Sequence, residues 1–155
     1  MHHRPYVATA LALTGVGLAL VGAPPASAAI GTPTTFVLDT QFWDAPSTIT
    51  SASGDLGSCT QATEREAVAT QITRVKVQFS GEKVLTCGEY EVVVHYDALL
   101  NVASGHRTFG DWYVVSSTLP TVLGGSGTIK GDSRTCTVQE GSGGCITDTF
   151  TGATY

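Results

Sequence analysis

Beyond its first 28 residues, this chain alternates apolar and polar residues along most of its length, and a period of two marks a half-buried β-strand. From Thr34 to Phe42 the pattern sets Phe36, Leu38 and Phe42 on one face, with Thr40 between them. From Arg74 to Phe79 it sets Val75, Val77 and Phe79 against Arg74, Lys76 and Gln78. Ser80-Gly81-Glu82 then reads as a turn, Lys83 to Cys87 as a strand, and Gly88-Glu89 as a further turn. Tyr90 to Leu100 places Tyr90, Val92, Val94, Tyr96 and Ala98 on one face and Glu91, Val93, His95 and Asp97 on the other. Asp111 to Thr118 opposes Trp112, Val114 and Ser116 to Tyr113 and Val115. Thr128 to Val138 and Cys145 to Tyr155 read as strands around a Gly-rich turn. The one helical hint is Thr63 to Thr70, where Thr63 and Glu66 have capping-box spacing, in a segment too short to hold without packing. Ser47 to Thr60 is small and polar and reads as a loop or a short edge strand.

Many short strands joined by Gly-rich turns predict an all-β domain: an antiparallel, closed or nearly closed barrel of about eight strands, with a β-sandwich as the alternative. A final segment that still looks like strand, Asp148 to Tyr155, fits a sheet that closes on its last strand and so removes an exposed edge.

The first 28 residues follow a different rule. Met1-His2-His3-Arg4 is a positive start, and Val7 to Val21 is an uncharged, mainly apolar run of 15 residues. Gly22-Ala23-Pro24-Pro25 breaks any helix, and Ala26-Ser27-Ala28 fits a small-x-small cleavage site. This is the pattern of a secretory signal peptide cut after Ala28, or one residue later at Ala29. The apolar run is shorter than the roughly 18–20 residues of a spanning helix. The expected organisation is a signal peptide over residues 1–28 and a single β domain over 29–155, secreted and extracellular, with no membrane span after cleavage. Fifteen glycines remain in those 127 residues, about 12% against an average near 7%.

Export changes how the cysteines are read. Cys59, Cys87, Cys136 and Cys145 all lie beyond the cut, and an even count in an oxidising compartment predicts two disulfides with three connectivities open. Cys59–Cys87 with Cys136–Cys145 is favoured, because the second pair flanks Glu140-Gly141-Ser142-Gly143-Gly144, a turn that would set its cysteines opposite each other on a hairpin. There is no C-x-x-C pair, and the remaining histidines are scattered, so no metal site and no cofactor are expected. Loss of Arg4 with the leader leaves seven basic and thirteen acidic side chains, dispersed along the chain. Nucleic acid and anionic membrane are poor partners for such a surface. The oligomeric state is left open by the sequence.

One segment carries a resemblance. Gly110-Asp111-Trp112-Tyr113-Val114-Val115, followed by Leu123-Gly124-Gly125-Ser126-Gly127-Thr128-Ile129-Lys130-Gly131, resembles the allene oxide cyclase barrel superfamily, which includes the plant dirigent proteins and small secreted bacterial proteins. That group has a G-x-W strand leading to a G-G-x-G-x-[FYI]-x-G turn and strand. The resemblance covers Gly110 to Gly131 well and the rest in strand rhythm, with Phe79-Ser80-Gly81 a weaker echo. It implies an eight-stranded antiparallel barrel whose cavity suits a small apolar molecule. The family often has a glycine near Pro120, in the stretch Thr118-Leu119-Pro120-Thr121, so that turn is expected to differ. No catalytic residue of the cyclases or dirigents matches a position here, and fold alone does not transfer activity.

Candidate chemistry is sparse. His95 and Asp97 share a strand face, with Glu91 four residues before His95, and an imidazole beside carboxylates suits proton transfer. The plainer account makes this row the wet face opposite the core face of Tyr90, Val92, Val94 and Tyr96, since charged residues rarely go inside unpaired. Trp43, Trp112 and Tyr113 are candidate pocket walls, although Trp112 and Tyr113 point to opposite faces and a packed aromatic needs no ligand. Gly124-Gly125-Ser126-Gly127 lacks the Lys-Ser/Thr of a phosphate loop, and no G-x-S-x-G elbow occurs. His106 and Arg107 lie in a Ser-Gly-rich loop. Three functions remain: a barrel binding a small apolar ligand in its interior, a cyclase- or isomerase-like enzyme using the same cavity, or an extracellular structural or interaction protein.

Overall fold

The computed structural model describes residues 31–42, 46–105 and 107–155. The expected signal peptide lies outside the described residues, as do Trp43 and His106. Eight strands form a closed barrel: β1 (Thr32–Gln41), β2 (Ser47–Ala52), β3 (Gln61–Thr73), β4 (Lys76–Cys87), β5 (Tyr90–Asn101), β6 (Arg107–Ser117), β7 (Gly125–Asp132) and β8 (Cys145–Thr154). Each pairs antiparallel with its sequence neighbour, and β8 closes on β1 from Thr32↔Thr154 to Gln41↔Cys145. The barrel is therefore an up-and-down meander, one of the two architectures expected, and the last strand closes it.

The alternation predicts which side chains go inside. Phe36 and Leu38 of β1, Val92, Val94 and Tyr96 of β5 and Trp112 of β6 are buried, while Tyr113 is outside and 50% exposed. Where the reading of the sequence differs, tertiary pairing is the reason. Thr63 to Thr70 is not helical. It belongs to β3, which is hydrogen-bonded along β4 from Gln61↔Thr86 to Thr73↔Lys76. Glu66, expected in a capping box, instead sits in a β-bulge with φ +56°. An extra residue there shifts the inward parity of β3, so that Ala62 and Glu64 and then Ala69 all face inside.

Ser80-Gly81-Glu82 is no turn either, because β4 runs unbroken through it. Gly81 lies opposite the bulge and pairs with Tyr96. A Cβ on Gly81 would come 3.0 Å from Ala67 Cα and 3.1 Å from the Tyr96 hydroxyl, so the glycine marks a close approach within the wall. In the segment read as loop or edge strand, Ser47–Ala52 is strand and Gly54–Leu56 a single 3-10 turn. The strand expected from Thr128 to Val138 is Gly125–Asp132 instead.

Both favoured disulfides are present, Cys59–Cys87 and Cys136–Cys145. Cys136 is not opposite Cys145 on a hairpin, since it lies in the long β7–β8 connection. Gln41, fully buried, ties that connection down by donating to the Thr137 carbonyl and accepting from the Gln139 N–H.

The two ends of the barrel are filled differently. At the end holding the β2–β3, β4–β5 and β6–β7 connections, Leu56 and Val122 plug the opening above Phe36, Leu85, Val92 and Trp112. The Phe36 and Phe150 rings stack at 4.4 Å, and Trp112 meets Phe36 edge-on at 5.6 Å. The Trp112 ring fits because Gly127 faces it: a Cβ there would lie 2.7 Å from Trp112 Nε1. At the other end the strands part around a cavity.

Candidate functional site

The cavity measures about 310 Å³, at the small end of the range of about 300–1,000 Å³ for small-molecule sites. Phe42, Val68, Phe79 and Ile146 contribute apolar wall, together with Ile129 and Phe150, which also contact the packed core. Ala67, Ala69 and Ala98 are small enough to leave room between them. Access is widened on one side. Pairing of β2 with β3 is confined to Ser47↔Ala62 and Thr48↔Gln61, so β3 has no partner on that side over most of its length among the described residues.

Six strands each send one polar side chain to this space: Thr40 from β1, Glu64 from β3, Lys83 from β4, Tyr96 from β5, Thr108 from β6 and Asp148 from β8. Glu64 and Lys83 are direct cross-strand partners, and Glu64 Oε2 lies 3.7 Å from Lys83 Nζ. The Tyr96 hydroxyl donates a hydrogen bond to Glu64 Oε1, and the Lys83 ammonium stands 5.0 Å from the centre of the Tyr96 ring. Gly81, having no side chain, leaves the space in which the Tyr96 hydroxyl lies. In the second cluster, Thr40 Oγ1 donates to Asp148 Oδ2 at 2.7 Å. Asp148 Oδ1 and Thr108 Oγ1 are buried without a hydrogen-bond partner. Gly131 makes room for both, since a Cβ there would fall 2.3 Å from Asp148 Oδ1.

Burial governs the protonation of this interior. It pushes the Asp148 carboxyl up to about 6, against the opposing pull of the Lys83 charge and the Thr40 hydrogen bond. Burial first, and then the negative charge of Glu64, hold the Tyr96 phenol well above its ordinary value. Tyr96 is thus a neutral donor, and Asp148 changes between its two forms at about pH 6. Such a set can orient a polar group and exchange a proton with it.

The residues singled out from sequence occupy other places. His95 and Asp97 do meet, His95 Nε2 lying 3.3 Å from Asp97 Oδ2, but on the outer wall, where His95 also lies 5.0 Å from the Tyr113 ring. Glu91 is exposed, and its backbone pairs with Thr118 away from them. Trp112 is interior, in the packed end rather than the cavity, and Tyr113 is outside. The inward parity carried a usable signal: Lys83 shares it with Leu85, Asp148 with Phe150, and Tyr96 with Val92 and Val94. No family model matches the chain, and neither a curated protein nor a solved structure matches it.

Proposed function

We propose that this is a secreted barrel that binds a small, mostly apolar molecule in its half-open cavity, as the likeness to the allene oxide cyclase barrels implies. The observation that carries this is the contrast within one barrel: one end packed solid, the other holding a cavity of about 310 Å³ with apolar walls and a few convergent polar groups. That is the usual make-up of a small-molecule site. Two disulfides, and the absence among the described residues of a helix long and apolar enough to cross a membrane, are compatible with an extracellular protein. Filling the space is the test. Ala98→Trp should abolish the binding of small apolar compounds seen by NMR titration while the amide spectrum keeps its dispersion. Undiminished binding by the filled variant would remove the cavity from the account.

A second reading, a cyclase- or isomerase-like enzyme, is favoured by the meeting of Glu64, Lys83, Tyr96 and Asp148 in one interior. His95, Asp97 and Glu91 offer it nothing inside the barrel. NMR of a bound compound after long incubation separates the two: an unchanged spectrum supports binding, and a rearranged carbon skeleton supports catalysis.

A further inference from the structure

We infer that the cavity selects molecules that are apolar over most of their surface and carry one neutral oxygen acceptor, such as a ketone or aldehyde carbonyl, held by the Lys83 ammonium. The inference rests on the proposal that the cavity is a ligand site, and it names the chemistry of the occupant.

Lys83 is only 2% exposed and lines the cavity. An ammonium has three donors and nothing else to offer. The carboxylate nearest to it, Glu64, stands at 3.7 Å, close enough for charge attraction and too far for a hydrogen bond. The other oxygen of Glu64 is engaged by the Tyr96 hydroxyl, which limits how far the carboxylate can turn towards the lysine. The Tyr96 ring, at 5.0 Å, meets the charge but accepts no conventional hydrogen bond. Among the described residues no group accepts a hydrogen bond from the Lys83 ammonium, the nearest carboxylate oxygen standing at 3.7 Å. A charge whose donors lose solvent without gaining an acceptor is costly. An incoming oxygen that takes over from solvent at this ammonium keeps it satisfied, while the rest of the molecule gains burial against Phe42, Phe79 and Ile146.

Charge narrows the choice of oxygen. Glu64 on β3 and Asp148 on β8 both flank Lys83, two carboxyl groups against one ammonium. There is no surplus positive charge to hold a carboxylate or a phosphate, and the lysine itself opposes a cationic head. A neutral acceptor avoids both penalties. Thr40 and Tyr96 do not compete for the same role, because each already donates to a carboxylate, and the unpartnered Thr108 Oγ1 is buried out of solvent contact.

The experiment uses the disulfide-bonded protein at pH 7.5 and three probes of one chain length: nonan-2-one, nonane and nonanoate, followed by amide chemical shifts. The ketone should bind about tenfold tighter than either of the others, the selectivity expected of one hydrogen bond to a charged donor. Lys83→Met, close to isosteric, should abolish the preference for the ketone over the hydrocarbon. If nonane matches the ketone, or nonanoate exceeds it, the inference is overturned while the cavity remains a ligand site. If none of the three moves a cavity resonance, the inference and the proposed function fall together. The ranking in the unaltered protein decides the matter even if the variant does not fold.

Discussion

Along β1 the inward residues run Phe36, Leu38, Thr40; along β4, taken from the same end, Leu85, Lys83, Gly81; along β5, Val92, Val94, Tyr96; along β8, Phe150, Asp148, Ile146. Each strand starts in an apolar core and changes character at about the same height in the barrel. The two halves share their strands, hydrogen bonding and alternation, and differ in what the alternation delivers. At the packed half, aromatic and aliphatic side chains fill the interior, and glycines such as Gly127 admit the largest of them. At the open half, glycines and alanines face charged and hydroxyl groups, and space is left over. A buried charge contributes little net stability even when paired, so the packed half has to stabilise the fold while the open half is left for a site.

The sharpest way to break this comparison is to remove one aromatic ring from each half. Trp112→Ala should cost about 3–5 kcal/mol, the range for truncating a fully enclosed aromatic. Phe79→Ala removes a ring that borders open space and is half-buried at the edge of the core, and about 1 kcal/mol is expected from its lost apolar contact. Urea unfolding of both variants measures the difference. Equal losses would mean that the cavity wall is as much a part of the core as Trp112.

The disulfides extend the comparison to covalent staples. Cys59–Cys87 spans 28 residues and lies buried in the packed half, whereas Cys136–Cys145 spans 9 and restrains the connection beside the mouth. Loop-closure entropy assigns about 3.5 kcal/mol to the first and about 2.5 to the second. Paired Cys→Ser replacements at each bridge should lower the thermal midpoint in that order. Loss of the second bridge should also loosen Val138 and Gly144, visible as faster amide exchange in residues 133–144.

How far these halves could be read from the sequence follows from what alternation reports. It reports parity, and parity was enough for the barrel, for the inward face of β5 and for the opposite directions of Trp112 and Tyr113. Parity carries no information about depth, so Trp112 read as a pocket wall when it belongs to the packed end. Parity also fails where a strand is irregular. The bulge at Glu66 and the close approach at Gly81 are set by pairing between β3 and β4, and in one dimension they resemble a helix cap and a turn. Glu64 was hidden in the first and Tyr96's reach towards it in the second. The His95–Asp97 pair stood out because its residue types are familiar in catalysis, while Lys83 and Asp148 passed as ordinary strand residues.

The smallest and most specific expected effect is a pH dependence peculiar to the open half. The Asp148 carboxyl, at about 6 in the folded protein and near 3.8 when unfolded, binds its proton more tightly in the fold. The folded state therefore holds more protons between those values, and stability falls as pH rises from about 4 to above 6. The charges acting on Asp148 come from Lys83 and Glu64, and the hydrogen bond from Thr40. Asp148→Asn keeps the size of the side chain, can still accept from Thr40, and cannot ionise. From pH 4 to pH 7.5 the variant should gain up to about 3 kcal/mol relative to the unaltered protein, the equivalent of a shift of roughly two pH units. Asp132 provides the control of opposite sign. Its partly exposed carboxyl is held below its ordinary value by hydrogen bonds from Arg134, so Asp132→Asn can matter only in acid, and only weakly because solvent screens the pair. If Asp148→Asn tracks the unaltered protein at every pH, the interior of the open half is wet enough to behave as surface, and the line between a dry core and a polar cavity would have to be drawn higher in the barrel.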